Sequence, residues 1–341
     1  MIITEKSERQ EMNREINYSI IIPHKNIPKL LQRCLDSIPR REDVQIIVVD
    51  DNSDSNKVDF EHFPGLGDPL VEVIFTKEGK GAGYARNVGL TKAIGKWLLF
   101  ADADDFYNYC ISDVLDEYVD SDADIIYFKH NSLDSDMYTI THRCAFFDTY
   151  IDYWLYSNKK ADYFLRYKHT SVWTKLFRKE FIVRNCILFD EVYKSNDVTF
   201  AYLAGFFANS INVDSRAIYC TTLRQGSIRH SKVPIEKRMD AFYVSAKRYR
   251  FFRKHGILLS DKIFFVKTII KSFFFNKTLY NEAMNVLFSL GFTSSEIIGL
   301  CIYTILIYVP LKIVTKLSPN NSFLPIFFLN SLEKFIINKL F

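Results

Sequence analysis

Between Tyr18 and Lys129 the chain repeats one arrangement: a short β-favouring apolar run, a polar break, then a segment of helical periodicity. "YSIII" (18–22) ends at Pro23, "VQIIVV" (44–49) ends at Asp50, and "KWLLFA" (96–101) ends at Asp102. "VEVIF" (71–75) and "DIIYFK" (124–129) are further runs of the same kind. Runs that are apolar at nearly every position suit strands covered on both faces, as in parallel sheets. In "NIPKLLQRCLDSI" (26–38), Pro28 suits a first helical turn, and Leu31, Cys34, Leu35 and Ile38 share a face. "GYARNVGLTKAIG" (83–95) reads as a second helix, stopped at Gly95, with Ala85, Val88, Gly89 and Ala93 on a face small enough to lie close to a sheet. Strands alternating with helices predict an α/β fold: a Rossmann-like, mainly parallel, doubly wound sheet flanked by helices.

In open parallel sheets, ligands bind beyond the carboxyl ends of the strands. Three polar clusters follow such ends: Pro23-His24-Lys25-Asn26, Asp50-Asp51-Asn52-Ser53, and Asp102-Ala103-Asp104-Asp105. The last puts three carboxylates within four positions, directly after a buried strand. Asp102 and Asp104 can offer oxygens to a hard divalent cation such as Mg²⁺ or Mn²⁺. A solvated turn or helix cap is the competing role for a lone D-x-D, and the shared rim favours metal. "EGKGAGYARN" (78–87) brings three glycines to the start of a helix, where backbone N–H groups attract anions, with Arg86 able to fork onto phosphate oxygens. It has neither Walker spacing nor the position of a dinucleotide fingerprint. Six cysteines without a C-x-x-C pair argue against a zinc site and a disulfide framework.

Taken in order, "YSIIIPHKN", "IIVVDDNSD", "GAGYARNVGLTKAIGKWLLFADADD" and "VWTKLFRKEF…FDEVYKSNDVTF" resemble the family 2 glycosyltransferases of the GT-A fold, of the bacterial capsule, O-antigen and exopolysaccharide type. The resemblance covers about residues 17 to 230. It implies an inverting, metal-dependent glycosyl transfer from a nucleotide diphosphate sugar, most often UDP-linked, to a saccharide hydroxyl, with Mn²⁺ or Mg²⁺ as cofactor. Carried over by position, Pro23, Asp50, Asp51, Arg86 and Asp102 would contact the donor. Asp104, with Asp102, would hold the cation, and Asp197 would be the general base. Trp173 and Lys175 would open the acceptor side. Arg224, Ser227 and His230 would lie on a loop over the donor. Two positions depart from the family pattern: Lys25 stands where an aromatic is common, and Asn196 precedes Asp197 where Glu is common, which leaves Asp197 as the carboxylate able to act as base. On its own pattern, Asp197 sits in the first turn of a helix over 195–207, where the dipole favours the ionised form and gives no unusual basicity.

The implied domain plan is a disordered polar terminus (1–16), a catalytic domain (17–228) with a nucleotide-binding half (17–130) and an acceptor half (131–228), and a basic, then apolar, helical region (229–341). The terminus lacks the apolar core of a secretion signal. Net charge is only +4, yet residues 229–277 hold 13 Lys/Arg against 3 Asp/Glu. Beyond Ile263, Phe, Ile and Leu mix with isolated lysines, which suits helices lying in a membrane interface with basic groups at anionic headgroups. An ordinary helical subdomain is the alternative. The expectation is a cytoplasmic enzyme peripheral on the inner face of the bacterial plasma membrane, with a lipid-linked acceptor. No recognition motif for nucleic acid accompanies the basic block. Two competing functions remain: a sugar nucleotidyltransferase, disfavoured because "PHKNIPK" has no glycine, and a non-catalytic scaffold on the same fold.

Overall fold

The structure is a computed structural model that describes residues 15–157, 161–224, 237–257 and 264–305. The chain divides into two compact units, 1–232 and 233–341, against a boundary at 228/229 read from the sequence.

The first unit is built on an eight-stranded sheet of order β3-β2-β1-β4-β7-β6-β8-β5. Its strands are β1 (Tyr18–His24), β2 (Val44–Asp51), β3 (Val71–Thr76), β4 (Trp97–Phe100), β5 (Phe106–Tyr107), β6 (Ile125–Asp134), β7 (Lys175–Arg178) and β8 (Ile211–Leu223). Helices α1 (Pro28–Asp36), α2 (Ala82–Lys92) and α3 (Ile111–Tyr118) connect the first six strands. After β6 come α4 (Phe146–Tyr156), α5 (Asp162–Tyr167), α6 (Lys179–Arg184) and α7 (Asn196–Phe207).

The continuous apolar runs are buried on both faces, as their composition demands. Ile20, Ile22, Ile46, Val48 and Leu99 join one core with Leu31 and Leu35 of α1 and Val114 of α3. Their chain neighbours Ile21, Ile47, Val49, Leu98 and Phe100 join a second core with Ala85 of α2 and Phe200 of α7. The period-two alternation of a strand assigns residues to the two layers.

Strands β1 to β4 pair in parallel. The chain lays β2 and β3 outward from β1, then returns to place β4 on the other side. Strand order therefore reverses between β1 and β4, and the rim beyond that point is where such sheets bind ligands. The remaining pairings are mixed: β7 is antiparallel to β4 and β6, β5 is antiparallel to β8, and β6 is parallel to β8. Doubly wound order is thus confined to the first half. The division at 130/131 falls inside β6, so the two halves share one sheet.

The second unit has α8 (Arg238–Lys254), α9 (Phe264–Phe275), α10 (Lys277–Ser289) and α11 (Ser294–Tyr303). Phe242, Ala246, Phe265, Val266, Ile269, Leu287, Ile297 and Leu300 form its core. Thr293 and Glu296 form a capping box at α11, and Glu296 also accepts Arg250 Nη1 on both oxygens at 3.0 Å. Among the described residues, part of the apolar composition beyond Ile263 forms this core.

Helix α7 lies so close to α5 that a Cβ on Gly205 would stand 2.2 Å from the Arg166 carbonyl oxygen. Arg166 Nη1 completes the contact by donating to the Gly205 and Ala208 carbonyls at 2.8 and 2.6 Å. Gly205→Ala gains helix propensity but forces backbone apart. We expect a net loss of about 1–3 kcal/mol, read as a lower urea midpoint at unchanged slope.

Candidate active site

The rim is organised first by His24. The Ile27 N–H donates to its Nε2 at 3.1 Å, so the ring proton sits on Nδ1 and is donated to Asp50 Oδ1 at 2.7 Å. Asp50 also accepts from the Ser53 N–H at 2.9 Å and Ser53 Oγ at 2.5 Å. Burial acts to raise the Asp50 pKa, but the hydrogen bonds from His24 and Ser53 outweigh it and hold the carboxyl below the usual range. Both Asp50 oxygens are therefore engaged in fixing the loops after β1 and β2. Pro23 is buried within β1.

Asp51, one residue on, is buried with its Oδ2 accepting from the Gly81 N–H at 2.9 Å and from Lys25 Nζ at 3.4 Å. Its Oδ1 is buried and has no hydrogen-bond partner among the described residues. Gly81 caps α2 with φ of +96°, a conformation that favours glycine. Asp51 thereby fixes the anion-attracting end of α2 beside the β2 rim.

Arg86 is the buried centre of the constellation. Its Nη2 donates to Asp102 Oδ1 at 2.5 Å and its Nη1 to Asn196 Oδ1 at 2.6 Å. The guanidinium also lies 5.4 Å from the centroid of the Phe189 ring. One side chain thus joins the loop after β4 to the first turn of α7. Asn87 ties α2 to the segment before α7: Nδ2 donates to the Phe189 carbonyl at 3.0 Å and Oδ1 accepts its N–H at 2.9 Å. Gly83 permits this approach, since a Cβ there would sit 2.0 Å from the Asp190 carbonyl oxygen.

Carboxylate oxygens of Asp102, Asp104 and Asp105 lie within 4.8 Å of one another. Asp105 is buried, accepts the Thr222 N–H at 2.6 Å and faces Tyr219 Oη at 3.3 Å. Burial, reinforced by the charges of Asp104 and Asp102, pushes its pKa well above the usual value. Asp102 and Asp104 are part-exposed. Arg86 takes one oxygen of Asp102, and Arg224 Nε takes Asp104 Oδ2 at 2.8 Å. The other oxygens, Asp102 Oδ2 and Asp104 Oδ1, accept no hydrogen bond from the described residues. An all-carboxylate set with two uncommitted oxygens fits a hard divalent cation.

Asp197 follows Asn196 in the first turn of α7. The dipole argument predicted no unusual basicity, but the structure gives the opposite direction. Burial pushes the carboxyl pKa up, the charge of Asp102 adds to this, and Arg86 opposes it. Burial and the facing acid outweigh a helix end.

Two predicted acceptor contacts lie in the interior. Lys175 is 1% exposed and donates its Nζ to the His169 carbonyl at 2.6 Å, with the Tyr127 ring 4.7 Å away. Burial drives its pKa well below the ordinary lysine value, opposed by the charge of Asp197. Trp173 is buried among Tyr219, His130 and Phe147, with its ring stacked at 5.4 Å on Tyr219. Trp173 thus backs Tyr219, which bonds Asp102 and Asp105. Arg224 reaches Asp104, whereas Ser227 and His230 lie outside the described residues.

Sequence reasoning did not find Arg33, Arg143 or Tyr219. Arg33 Nη2 donates to the Asp104 carbonyl at 2.6 Å, Arg143 stands 3.9 Å from Asp105, and Tyr219 Oη accepts the Asp102 N–H at 2.8 Å. They come from α1, the segment before α4, and β8, and no local pattern marks them.

Residues 19–182 match the model of "Glycosyl transferase family 2". The chain is 26% identical over 241 residues to the "uncharacterized glycosyltransferase EpsJ" of Bacillus subtilis, covering 65% of each chain. It is 39% identical over 92 residues to a "PGL/p-HBAD biosynthesis glycosyltransferase" of Mycobacterium bovis, 26% of this chain and 35% of that protein. These matches thus span less than two thirds of the relatives' own length. The crystal structure of residues 1–349 of TarS from S. aureus superposes with a TM-score of 0.56 at 20% identity, covering 84% of each chain. Family model, relatives and fold agree: residues 19–182, just under half of the chain, match glycosyltransferase family 2, and the chain has the GT-A fold.

Proposed function

We propose that this protein moves a sugar from a nucleotide diphosphate sugar to a hydroxyl of a saccharide acceptor, with inversion at the anomeric carbon, in surface polysaccharide synthesis. One observation carries the reading: Arg86 is hydrogen-bonded both to Asp102 and to the residue before Asp197. A donor-side acid, a buried guanidinium and a carboxylate of raised pKa are therefore linked at the strand-order reversal. A UDP-linked donor is favoured because related TarS structures hold UDP-GlcNAc and UDP.

Asp51, with an unpartnered buried oxygen, is suited to accept hydrogen bonds from the base or ribose of the donor. Asp50 acts indirectly, by holding the loop that carries Asp51. Asp104 and Asp102 would hold Mn²⁺ or Mg²⁺, which when bound supplies positive charge to the diphosphate leaving group. The Arg86 guanidinium stabilises the same charge as it develops. The acceptor oxygen forms a bond to the anomeric carbon while its proton passes to an Asp197 carboxylate oxygen. The bond from that carbon to the phosphate oxygen breaks, and its electron pair leaves with the nucleoside diphosphate. Asn196, being neutral, leaves the Arg86 charge directed at Asp102 and the leaving group.

We place the protein in the cytoplasm, peripheral on the inner face of a bacterial plasma membrane and acting on a lipid-linked acceptor. No single described helix is long and apolar enough to cross a membrane. The charge excess of 13 Lys/Arg over 3 Asp/Glu in residues 229–277 supports attachment to anionic lipid.

Asp104→Ala should abolish the Mn²⁺-dependent part of the thermal stabilisation given by UDP; unchanged stabilisation refutes the cation assignment. Asp197→Asn should lower transfer by about 10²- to 10⁴-fold, with UDP stabilisation retained. The base works only when deprotonated, so a raised pKa moves the acid limb of the kcat profile upward. That limb should lie above the ordinary carboxyl pKa of 3.8, and bound cation would cancel the Asp102 contribution but not burial.

A further inference from the structure

We propose that Phe273, Phe274 and Phe275, at the corner between α9 and α10, enter the headgroup region of an anionic lipid bilayer. The proposal rests on the membrane-surface reading above and names the residues responsible.

Helix α9 buries Phe265, Val266 and Ile269 in the core of the second unit. Its last turn reverses the usual preference. Ser272 is buried, with Oγ bonded to the Ile269 carbonyl at 3.0 Å, while the next three phenylalanines are 62%, 68% and 82% exposed. Asn276 then starts α10 by accepting the Leu279 N–H at 3.0 Å, so the aromatics stand at a sharp corner. Among the described residues their ring contacts are with one another and with Tyr280, at centroid distances of 5.2–6.4 Å. Three adjacent exposed phenylalanines carry a large apolar area that water disfavours.

Charge selects the occupant. Residues 264–281 contain Lys267, Lys271 and Lys277 and no acidic residue. Lys271 and Lys277 are exposed and bracket the aromatics. Apolar rings flanked by lysines match an interface of acyl chains beneath anionic headgroups. A second copy on a two-fold axis would set the same lysines against each other. The chain's own residues 306–341 carry four Lys and one Glu, again the wrong sign.

The test is co-sedimentation of the full chain with phosphatidylglycerol-rich vesicles and with phosphatidylcholine vesicles. The wild type should bind the anionic vesicles. The triple variant Phe273→Ser, Phe274→Ser, Phe275→Ser should bind at least about tenfold more weakly, at unchanged helicity and urea midpoint. Phe275→Ser alone, at the most exposed ring, should weaken binding without any effect on folding. Lys271→Gln with Lys277→Gln should reduce the preference for anionic vesicles; an unchanged preference overturns the role given to these lysines. Binding by the triple variant equal to wild type overturns the corner but leaves peripheral attachment standing. Absence of wild-type binding overturns both. A wild-type dimer in sedimentation velocity that the triple variant disperses, with no vesicle effect, assigns the corner to a second copy and overturns the proposal.

Discussion

The site depends on the contact between Arg86 and its two partners. A buried guanidinium carries a charge that the interior does not solvate, so it must be met by hydrogen-bond acceptors of fixed geometry. Asp102 meets its Nη2 from the loop after β4, and Asn196 meets its Nη1 from the first turn of α7. Satisfying one cation therefore fixes the distance between the donor-side acids and the first turn of α7. On the proposed function, the same charge would offset that gained by a leaving diphosphate, so the group that assembles the site would also act on its chemistry.

Around the three acids the protein supplies its own counter-charge. Arg33, Arg143 and Arg224 approach from three separate elements, and Arg86 from a fourth. The acids do not share this support equally. Asp105 is buried, is held by Thr222 and Tyr219, and is driven towards its protonated form. It anchors the loop, while Asp102 and Asp104 are part-exposed, each with one oxygen that accepts no hydrogen bond from the described residues. Three neighbouring carboxylates thus differ chiefly by burial.

Legibility in the sequence followed the range of the interactions. The strands from Tyr18 to Phe100 were readable because continuous apolar runs report two-sided burial, a local property. Their clustering at one rim followed from parallel order, which is why Asp51, Arg86 and Asp102 could be placed before any coordinates. The direction of β7 could not be read, because "KLFR" pairs antiparallel on both sides through contacts that its own four residues do not encode. Lys175 was misplaced for a related reason. Its motif position was recognisable, but nothing nearby shows that β7 turns the side chain inward to the His169 carbonyl. The basicity of Asp197 was missed because the helix end is visible in sequence, while its burial and the charge of Asp102 arise from tertiary packing.

The glycine at position 83 sets the closest approach of α2 to the chain before α7. With a carbonyl oxygen already where a methyl group would go, α2 and Asp190 meet at backbone level. Any side chain there must push the two segments apart, and Arg86, three residues along the same helix, would be drawn away from Asn196.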